Sequence, residues 1–234
     1  MNEFCIAAVD QIKELKEILK TVGPPNIWQP VVVDGDKLLA DGIGDACDGL
    51  RDSDGVLDFE GKTVVDLGCN FGHWSFLVRT LGARRVLGID IDERVIRGCE
   101  ILKALYEVDR VNFRALDVTQ ANEVGKFDIG MMINIIGKDM IRTGIAKDLL
   151  SSLERLSQKE MLLTLRPRYH IEKKLQGDFQ GLREKYPADY IRNAFFYMVD
   201  YACDRFKAAW EIHIISGPND PEDAKRTLHC VKRK

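Results

Sequence analysis

The chain lacks paired cysteines, long apolar runs and any excess of one charge. Its six cysteines are scattered, and no two are spaced as Cys-x-x-Cys, so neither a zinc site nor a disulfide framework is indicated. No apolar run approaches the ~18 residues of a membrane-spanning helix. The net charge of −3 comes from 34 basic and 37 acidic residues, which gives no general attraction to nucleic acid or to an anionic membrane.

The first residues also lack the features of a secretory signal. Met1 to Val9 contain no basic segment followed by a long apolar core, so we expect no signal peptide and a cytoplasmic protein. The spacing of apolar residues over Phe4 to Lys20 predicts an amphipathic helix that ends at Gly23-Pro24-Pro25. Such a helix packs on a core in most proteins, and Trp28 just after it can either pack or face a ligand.

An acidic, glycine-rich segment between residues 34 and 60 raises the question of a calcium site. In the EF-hand spacing, Asp52 and Asp54 can occupy loop positions three and five. Positions one and twelve then fall on Leu50 and Gly61, which supply no acidic oxygen. We therefore expect no bound metal and interpret the segment as a turn-rich connection.

The most distinctive motif of the chain is a glycine loop. The apolar run Thr63 to Leu67 contains Asp66, Gly68-Cys69-Asn70-Phe71-Gly72 follows it, and a helical pattern begins at His73. This order predicts a strand, a tight loop and a helix, with the loop at the sheet edge where ligands of α/β proteins bind. The glycines suit a sharp turn or a close ligand, and asparagine is a residue that tolerates a positive φ.

Two further acids follow the next two predicted strands. The strand Arg85 to Asp90 ends in an acid, and in nucleotide-binding α/β folds such an acid accepts hydrogen bonds from ribose hydroxyls. Asp117 and Val118 follow the strand Val111 to Leu116. Asp117 can alternatively cap a helix over Thr119 to Val124.

The remaining patterns complete an α/β architecture. Repeated strand and helix patterns predict a parallel, doubly wound sheet, and two closely joined strands at the end predict an antiparallel hairpin. A smaller hairpin is predicted from 31–33 and 37–39. The sheet strands are predicted at 63–67, 85–90, 111–116, 127–133, 161–165, 210–214 and 226–232, with later helices at 141–156 and 190–206.

The motif Asp66-x-Gly68-x-Asn70-x-Gly72 resembles the first motif of class I S-adenosylmethionine-dependent methyltransferases, with asparagine in place of the usual central glycine. The resemblance covers about residues 60–234. It implies a mostly parallel seven-stranded sheet with a C-terminal antiparallel hairpin, S-adenosylmethionine as cofactor, and a domain over 61–234 that follows a helical lead-in or cap over 1–60.

The resemblance also implies roles for particular residues. Asp117 would receive the exocyclic amine of adenine, the Val118 N–H would reach a ring nitrogen, and Asn134 would contact the methionine part of the cofactor. The predicted cofactor-binding residues are Asp66, Gly68, Cys69, Asn70, Gly72, Asp90, Ile91, Asp117, Val118 and Asn134.

The segment Arg166 to Pro187 interrupts the strand and helix pattern. An insertion at the carboxyl edge of a sheet is where substrate specificity commonly resides. Arg166, Tyr169 and His170 are therefore the candidate catalytic or acceptor-site residues. A general base is needed only if the acceptor must lose a proton, and the sequence assigns none.

The expected function is methyl transfer to an unidentified acceptor, with a small molecule as the expected partner. A non-catalytic S-adenosylmethionine-binding module and a tRNA-modifying methyltransferase remain alternatives. The segment Trp28 to Gly42 faintly resembles enzymes that act on wobble uridine, although no dense basic patch supports nucleic acid. A nicotinamide-dependent oxidoreductase is disfavoured because its Gly-x-Gly-x-x-Gly spacing is absent. The oligomeric state is not indicated.

Overall fold

The computed structural model describes residues 3–33, 37–44, 57–121, 123–215 and 224–234. Within these ranges the helices are α1 (Glu3–Val22), α2 (His73–Thr80), α3 (Glu93–Leu105), α4 (Lys138–Thr143), α5 (Ile145–Leu156), α6 (Ile171–Lys174), α7 (Phe179–Lys185) and α8 (Met198–Phe206). The strands are β1 (Val31–Val33), β2 (Lys37–Ala40), β3 (Thr63–Leu67), β4 (Arg85–Asp90), β5 (Val111–Ala115), β6 (Phe127–Met132), β7 (Ser157–Leu165), β8 (Arg168–His170), β9 (Ile191–Arg192), β10 (Phe195–Tyr197), β11 (Trp210–Ile215) and β12 (Arg226–Lys232).

The main sheet has seven strands in the order β11-β12-β7-β6-β3-β4-β5. The pairs β3–β4, β4–β5 and β6–β7 are parallel, whereas β12 pairs antiparallel with both β7 and β11. The predicted α/β class, with a mostly parallel seven-stranded sheet and a terminal antiparallel hairpin, is therefore confirmed.

The chain divides into two compact units. Unit 1 holds the described residues of Met1–Asp48 and Asp58–Gln120, and unit 2 holds those of Gly49–Leu57 and Ala121–Lys234. The predicted domain boundary at residue 60 stays a prediction. Two of the positions weighed as a calcium site, Asp52 and Asp54, lie outside the described residues, as does Leu50.

Unit 1 is built on strand β3, in which all five residues are buried. The predicted N-terminal helix is confirmed as α1, which packs against α3. Leu15 is fully buried, and its Cδ1 atom lies 3.5 Å from where a Cβ atom on Gly98 would stand. Both ends of the Arg97 guanidinium donate to the Glu14 carboxylate, each at 2.7 Å. The helix is thus part of the core of this unit.

The small hairpin of the lead-in is also confirmed. Strands β1 and β2 pair antiparallel, with Val31 opposite Ala40 and Val33 opposite Lys37. Val31 and Val33 are buried while Lys37 and Leu38 are exposed, so the first strand carries the apolar side of the hairpin.

In unit 2 the helix predicted over 141–156 is two helices. Gly144 has a φ of 90° and separates α4 from α5. A positive φ is not helical, and glycine adopts it without steric cost, so the helix breaks there. The apolar spacing continues across the break, which is why the periodicity indicated a single helix.

The helix predicted over 190–206 is wrong in its first half. Only Met198–Phe206 is α-helical, and Phe195–Tyr197 forms a strand of a separate three-stranded sheet in the order β8-β10-β9. Asn193 and Ala194 have φ values of 50° and 62° and make the tight turn between two of its strands. Phe196 is fully buried, so aromatic packing on a pleated surface outweighs the helical spacing.

Among the residues that the structure describes, no helix has the length and hydropathy of a membrane span. Across the same residues, no group of three or more His, Cys, Asp and Glu side chains is placed to hold a metal ion.

We predict that Leu15→Ala lowers the free energy of unfolding by about 2–4 kcal/mol, because it removes a fully buried side chain between two helices. Chemical denaturation measures the change. Val9→Ala on the same helix is the matched control, since Val9 is 48% exposed and its truncation costs less than about 0.5 kcal/mol. Equal effects of both changes would contradict the packing of α1 into the core of unit 1.

Candidate cofactor site

The glycine loop after β3 turns through three positive φ values. Gly68, Asn70 and Gly72 have φ values of 68°, 47° and 78°. A Cβ atom on Gly72 would stand 2.9 Å from ring atoms of both Phe113 and Phe76, so glycine is required there for space as well as for conformation. The predicted use of glycine and asparagine for this turn is confirmed.

The loop is fastened to the end of the neighbouring strand β4. The backbone N–H groups of Gly68 and Cys69 both donate to the Ile89 carbonyl, at 2.7 and 2.9 Å. The Asn70 N–H donates to Asp90 Oδ2 at 2.9 Å. The carboxyl ends of β3 and β4 are therefore joined through backbone groups of the loop.

Asp90 lies at the centre of this edge. Its Oδ1 atom accepts the Asp92 N–H at 3.1 Å, so each carboxylate oxygen receives one backbone donor. Burial raises the pKa of this carboxyl, and the backbone N–H groups of Asp92, Asn70 and Ile91 oppose the shift. A carboxylate oxygen can accept two hydrogen bonds, so both oxygens keep capacity for a second donor such as a ribose hydroxyl.

Ile91, next to Asp90, is 72% exposed. It stands on the loop between β4 and α3, beside a half-buried carboxylate. A single exposed isoleucine is ordinary on a protein surface. At this position, however, it places an exposed apolar side chain next in the chain to Asp90.

Asp117 and Val118 occupy the corresponding edge of β5. Leu116 N–H donates to the Asp90 carbonyl at 2.8 Å, which ties this edge to the end of β4. Asp117 Oδ1 accepts from the Thr119 N–H at 2.8 Å and from the Thr119 hydroxyl at 2.7 Å. The capping role of Asp117 is thus present, although the helix expected over 119–124 is a single 3-10 turn, Val118–Gln120.

Asp66 lies inside the unit rather than on the loop surface. Its side chain is 1% exposed, and the Ser75 hydroxyl donates to its Oδ2 atom at 2.7 Å. Burial raises the pKa of this carboxyl to about 6, and the charge of Asp90 adds to the shift, while the Ser75 hydroxyl opposes it. Asp66 therefore links β3 to α2 beneath the loop, and its predicted cofactor contact stays a prediction.

Asn70 makes contacts that sequence reasoning missed. Its Nδ2 atom donates to the Asn26 carbonyl at 2.8 Å, and its Oδ1 atom accepts the Trp28 N–H at 3.2 Å. The asparagine is therefore more than a tolerated replacement for glycine. The departure from the usual motif was the one signal in the sequence that pointed to such a role.

The predicted site residue Asn134 belongs to unit 2 and follows β6. It has a φ of 60°, and its N–H donates to the Thr164 hydroxyl at 2.7 Å. Its Oδ1 atom accepts from Lys225 Nζ at 2.8 Å, while its Nδ2 atom is buried without a hydrogen-bond partner among the described residues.

Of the three candidate catalytic residues, Arg166 lies near enough to Tyr169 for its charge to lower the pKa of that hydroxyl, whereas His170 is set apart from them. Tyr169 is 7% exposed, and its hydroxyl donates to the Ile136 carbonyl at 3.0 Å. Burial raises the pKa of this hydroxyl, which disfavours it as a base. His170, the next residue of β8, lies on the opposite face of the strand, where its ring meets the Phe195 ring edge-on at 5.0 Å. Arg166 is exposed beyond the end of β7.

Comparison with known proteins agrees with this architecture. The model of a family described as "Methyltransferase domain" matches residues 58–208, which is more than half of the chain. The chain belongs to this methyltransferase family. Its class I members use S-adenosylmethionine as the methyl donor, so the predicted family and cofactor are confirmed.

Curated relatives match shorter segments. Ribosomal protein L11 methyltransferase of Thermotoga maritima is 31% identical over 106 residues, which cover 45% of this chain and 37% of that protein. The enzyme of the same name from Aliivibrio fischeri is 55% identical over 40 residues, or 17% of this chain and 14% of its own. The chain thus spans about a third or less of the length of these curated relatives.

Solved structures match more of the methyltransferase. The N-terminal domain of EvdMO1, crystallised with S-adenosylhomocysteine and D-fucose, superposes with a TM-score of 0.63 at 17% identity, over 94% of this chain and 97% of that one. Magnesium protoporphyrin IX methyltransferase of Synechocystis PCC 6803 has a TM-score of 0.52 at 19% identity and covers 77% of each chain. At these identities the likeness concerns the fold.

We predict that the buried Asp66 carboxyl makes the protein less stable as the pH rises from about 4 to about 6. Its pKa is about 6 in the folded chain, against an ordinary value of 3.8, so the folded state binds more protons than the unfolded state in this window. The free energy of unfolding then falls with rising pH, by up to about 3 kcal/mol for this group.

Asp66→Asn keeps a hydrogen-bond acceptor for Ser75 and removes the charge. Unfolding curves of both proteins between pH 4 and pH 7 are the measurement, and the variant should gain stability relative to the parent as the pH rises. A difference between the two proteins that does not change with pH would show that Asp66 titrates normally.

Proposed function

We propose that this protein binds S-adenosylmethionine at the β3–β4–β5 edge of unit 1 and transfers its methyl group to a small-molecule acceptor. The observation that carries the proposal is the Asp90 carboxylate, which backbone N–H groups of Asn70 and Asp92 hold in place, one on each oxygen. A fixed carboxylate with remaining acceptor capacity suits a vicinal diol such as a ribose.

The residues around Asp90 fit the rest of a nucleoside. Ile91 supplies an apolar surface for the adenine ring, and the Val118 N–H donates to a ring nitrogen. Asp117 retains its Oδ2 atom as an acceptor for the exocyclic amine, because both bonds from Thr119 go to Oδ1. Gly68 is only part-buried and carries no side chain that would block the amino-acid end, while Gly72 lets the loop pack on Phe76 and Phe113. Asp66 and Cys69 are proposed as further members of this site, and the contact of Asn134 with the methionine part stays a prediction.

When bound, S-adenosylmethionine supplies a methyl group made electrophilic by its sulfonium. The contribution of the chain is to hold the nucleoside in one orientation, so that an acceptor can approach in line with the breaking bond. Placement of two reactants can supply a large share of the rate enhancement. We assign no general base, because Tyr169 and His170 are occupied by other contacts and an acceptor that is already nucleophilic needs none.

Two observations support a small-molecule acceptor. A groove of unit 2, to which the insertion after β7 contributes Pro167 and Arg168, presents both charges and an aromatic ring, which suits a small polar molecule. It is lined by Pro167, Arg168, Tyr197, Val199, Asp200, Ile214 and Arg226. In addition, the EvdMO1 domain was crystallised with a sugar, and the Synechocystis enzyme is named for a porphyrin.

The alternatives differ in what they require. A protein acceptor is suggested by the names of the ribosomal protein L11 methyltransferases. A tRNA acceptor requires a basic surface, which a net charge of −3 does not favour. A non-catalytic S-adenosylmethionine-binding module needs only the unit 1 edge. Family membership speaks against the nicotinamide-dependent oxidoreductase.

We further propose that the protein works in the cytoplasm. Cys69, Cys99, Cys203 and Cys230 are free thiols, as expected of a reducing compartment.

We predict that Asp90→Ala weakens the binding of S-adenosylhomocysteine by at least about 1.5 kcal/mol, because hydrogen bonds to a charged group are lost. Titration calorimetry on the full chain is the measurement. The matched control is Asp109→Ala, which removes an exposed acid of the same unit that pairs with Arg79 at 2.8 Å. An unchanged affinity in the Asp90 variant, or tighter binding of NAD than of S-adenosylmethionine by the parent, would refute the cofactor assignment.

Activity is tested separately from binding. Incubation with methyl-labelled S-adenosylmethionine and separate pools of metabolites, ribosomal protein and tRNA should label a compound in the metabolite pool. Label in ribosomal protein or in tRNA would refute a small-molecule acceptor and assign the acceptor to that class instead. Cofactor binding with no label in any pool would favour the non-catalytic module.

A further inference from the structure

Asn70 uses every one of its polar groups within unit 1. Its N–H donates to Asp90, its carbonyl accepts from the Cys99 thiol at 3.0 Å, and its side chain bonds to two backbone groups far away in the chain. Those two groups belong to Asn26 and Trp28. We call the segment 26–28 the strap.

We infer that Asn70 is a positioning residue that joins the strap to the cofactor loop, and that this joint slows the release of S-adenosylmethionine. The effect on release rests on the proposed cofactor site. The joint consists of the two hydrogen bonds from the Asn70 side chain to Asn26 and Trp28, which are present in the free protein.

The strap is held on two sides. On one side, the Ile43 N–H donates to the Ile27 carbonyl at 3.0 Å, and the Gly44 N–H donates to the Trp28 carbonyl at 2.8 Å. A Cβ atom on Gly42 would stand 2.5 Å from that Trp28 carbonyl, so the two segments are in close backbone contact. On the other side, the strap meets the cofactor loop through the two side-chain bonds of Asn70.

The joint is directly coupled to the proposed ribose site. Asn70 makes both connections. Its side chain bonds to the strap, and its backbone N–H donates to Asp90. A shift of the strap therefore displaces Asn70, whose backbone N–H orients the Asp90 carboxylate. Trp28 is 38% exposed and Ile91 is 72% exposed, so the strap and the Asp90 loop both present apolar surface to solvent.

A glycine at position 70 would reproduce the loop without the joint. Glycine adopts a φ of 47° without strain, so the turn is kept, but it has no side chain to bond Asn26 or Trp28. Alanine also lacks these bonds, and it is strained in addition by the positive φ. The two variants therefore share the loss of the joint and differ in strain.

The test compares Asn70→Gly and Asn70→Ala with the parent in two measurements. In the free proteins, hydrogen exchange of the Trp28 amide should become about tenfold faster, as expected for the loss of hydrogen bonds that together amount to roughly 1.4 kcal/mol. In stopped-flow binding, S-adenosylhomocysteine should dissociate about tenfold faster from both variants with little change in the association rate.

The matched control is Asn193→Gly, which replaces another asparagine of positive φ, 50°, in an exposed turn of unit 2. It should leave both measurements unchanged. If Asn70 had a purely structural role, the rate of S-adenosylhomocysteine dissociation would follow the loss of folding stability. The strained alanine variant would then release it fastest, and the glycine variant would be close to the parent. That ranking, or unchanged exchange at Trp28, would overturn the inference.

Failure of this inference and failure of the proposed function give different results. If the parent protein does not bind S-adenosylhomocysteine, the cofactor site is wrong. Unchanged exchange at Trp28 in the free variants refutes the joint, whether or not the cofactor binds.

Discussion

The cofactor edge depends on one carboxylate held between two backbone donors. Asp90 accepts the N–H of Asn70 from the glycine loop and the N–H of Asp92 from its own loop. These bonds fix the loop after β3 against the end of β4, and the Leu116 N–H on the Asp90 carbonyl extends the link to β5. The shape of the proposed nucleoside site therefore follows from the surroundings of a single residue.

That arrangement has an electrostatic cost which local donors offset. Burial raises the pKa of both Asp66 and Asp90, and the charge of Asp90 raises the pKa of Asp66 further. The hydroxyl and the backbone N–H of Ser75 stabilise the Asp66 carboxylate, whereas Asp90 is stabilised by backbone N–H groups alone, one of which belongs to Asn70 in its positive φ conformation. Loop conformation and carboxylate charge are thus coupled through the positive φ of Asn70, a conformation that asparagine and glycine adopt more readily than other residues.

Much of this edge could be predicted from local sequence, because its parts are local. Strand β3, the turn at Gly68 to Gly72 and the acid that ends β4 each leave a signal within a few residues. The strand Phe195–Tyr197 was missed because its apolar spacing also fits a helix and only pairing with Arg168–His170 decides between them. The partners of Asn70 lie 42 and 44 residues away, and no local pattern encodes which segment reaches that side chain.

The proposed function requires that S-adenosylmethionine binds at this edge of unit 1. The test is amide hydrogen exchange of the full chain with and without saturating S-adenosylhomocysteine. Amides whose exchange slows mark the residues that the ligand contacts and the segments that it makes more rigid. Protection is expected to centre on residues 68–72, 90–92 and 117–118. Protection confined to unit 2, or no protection at any concentration, would contradict it.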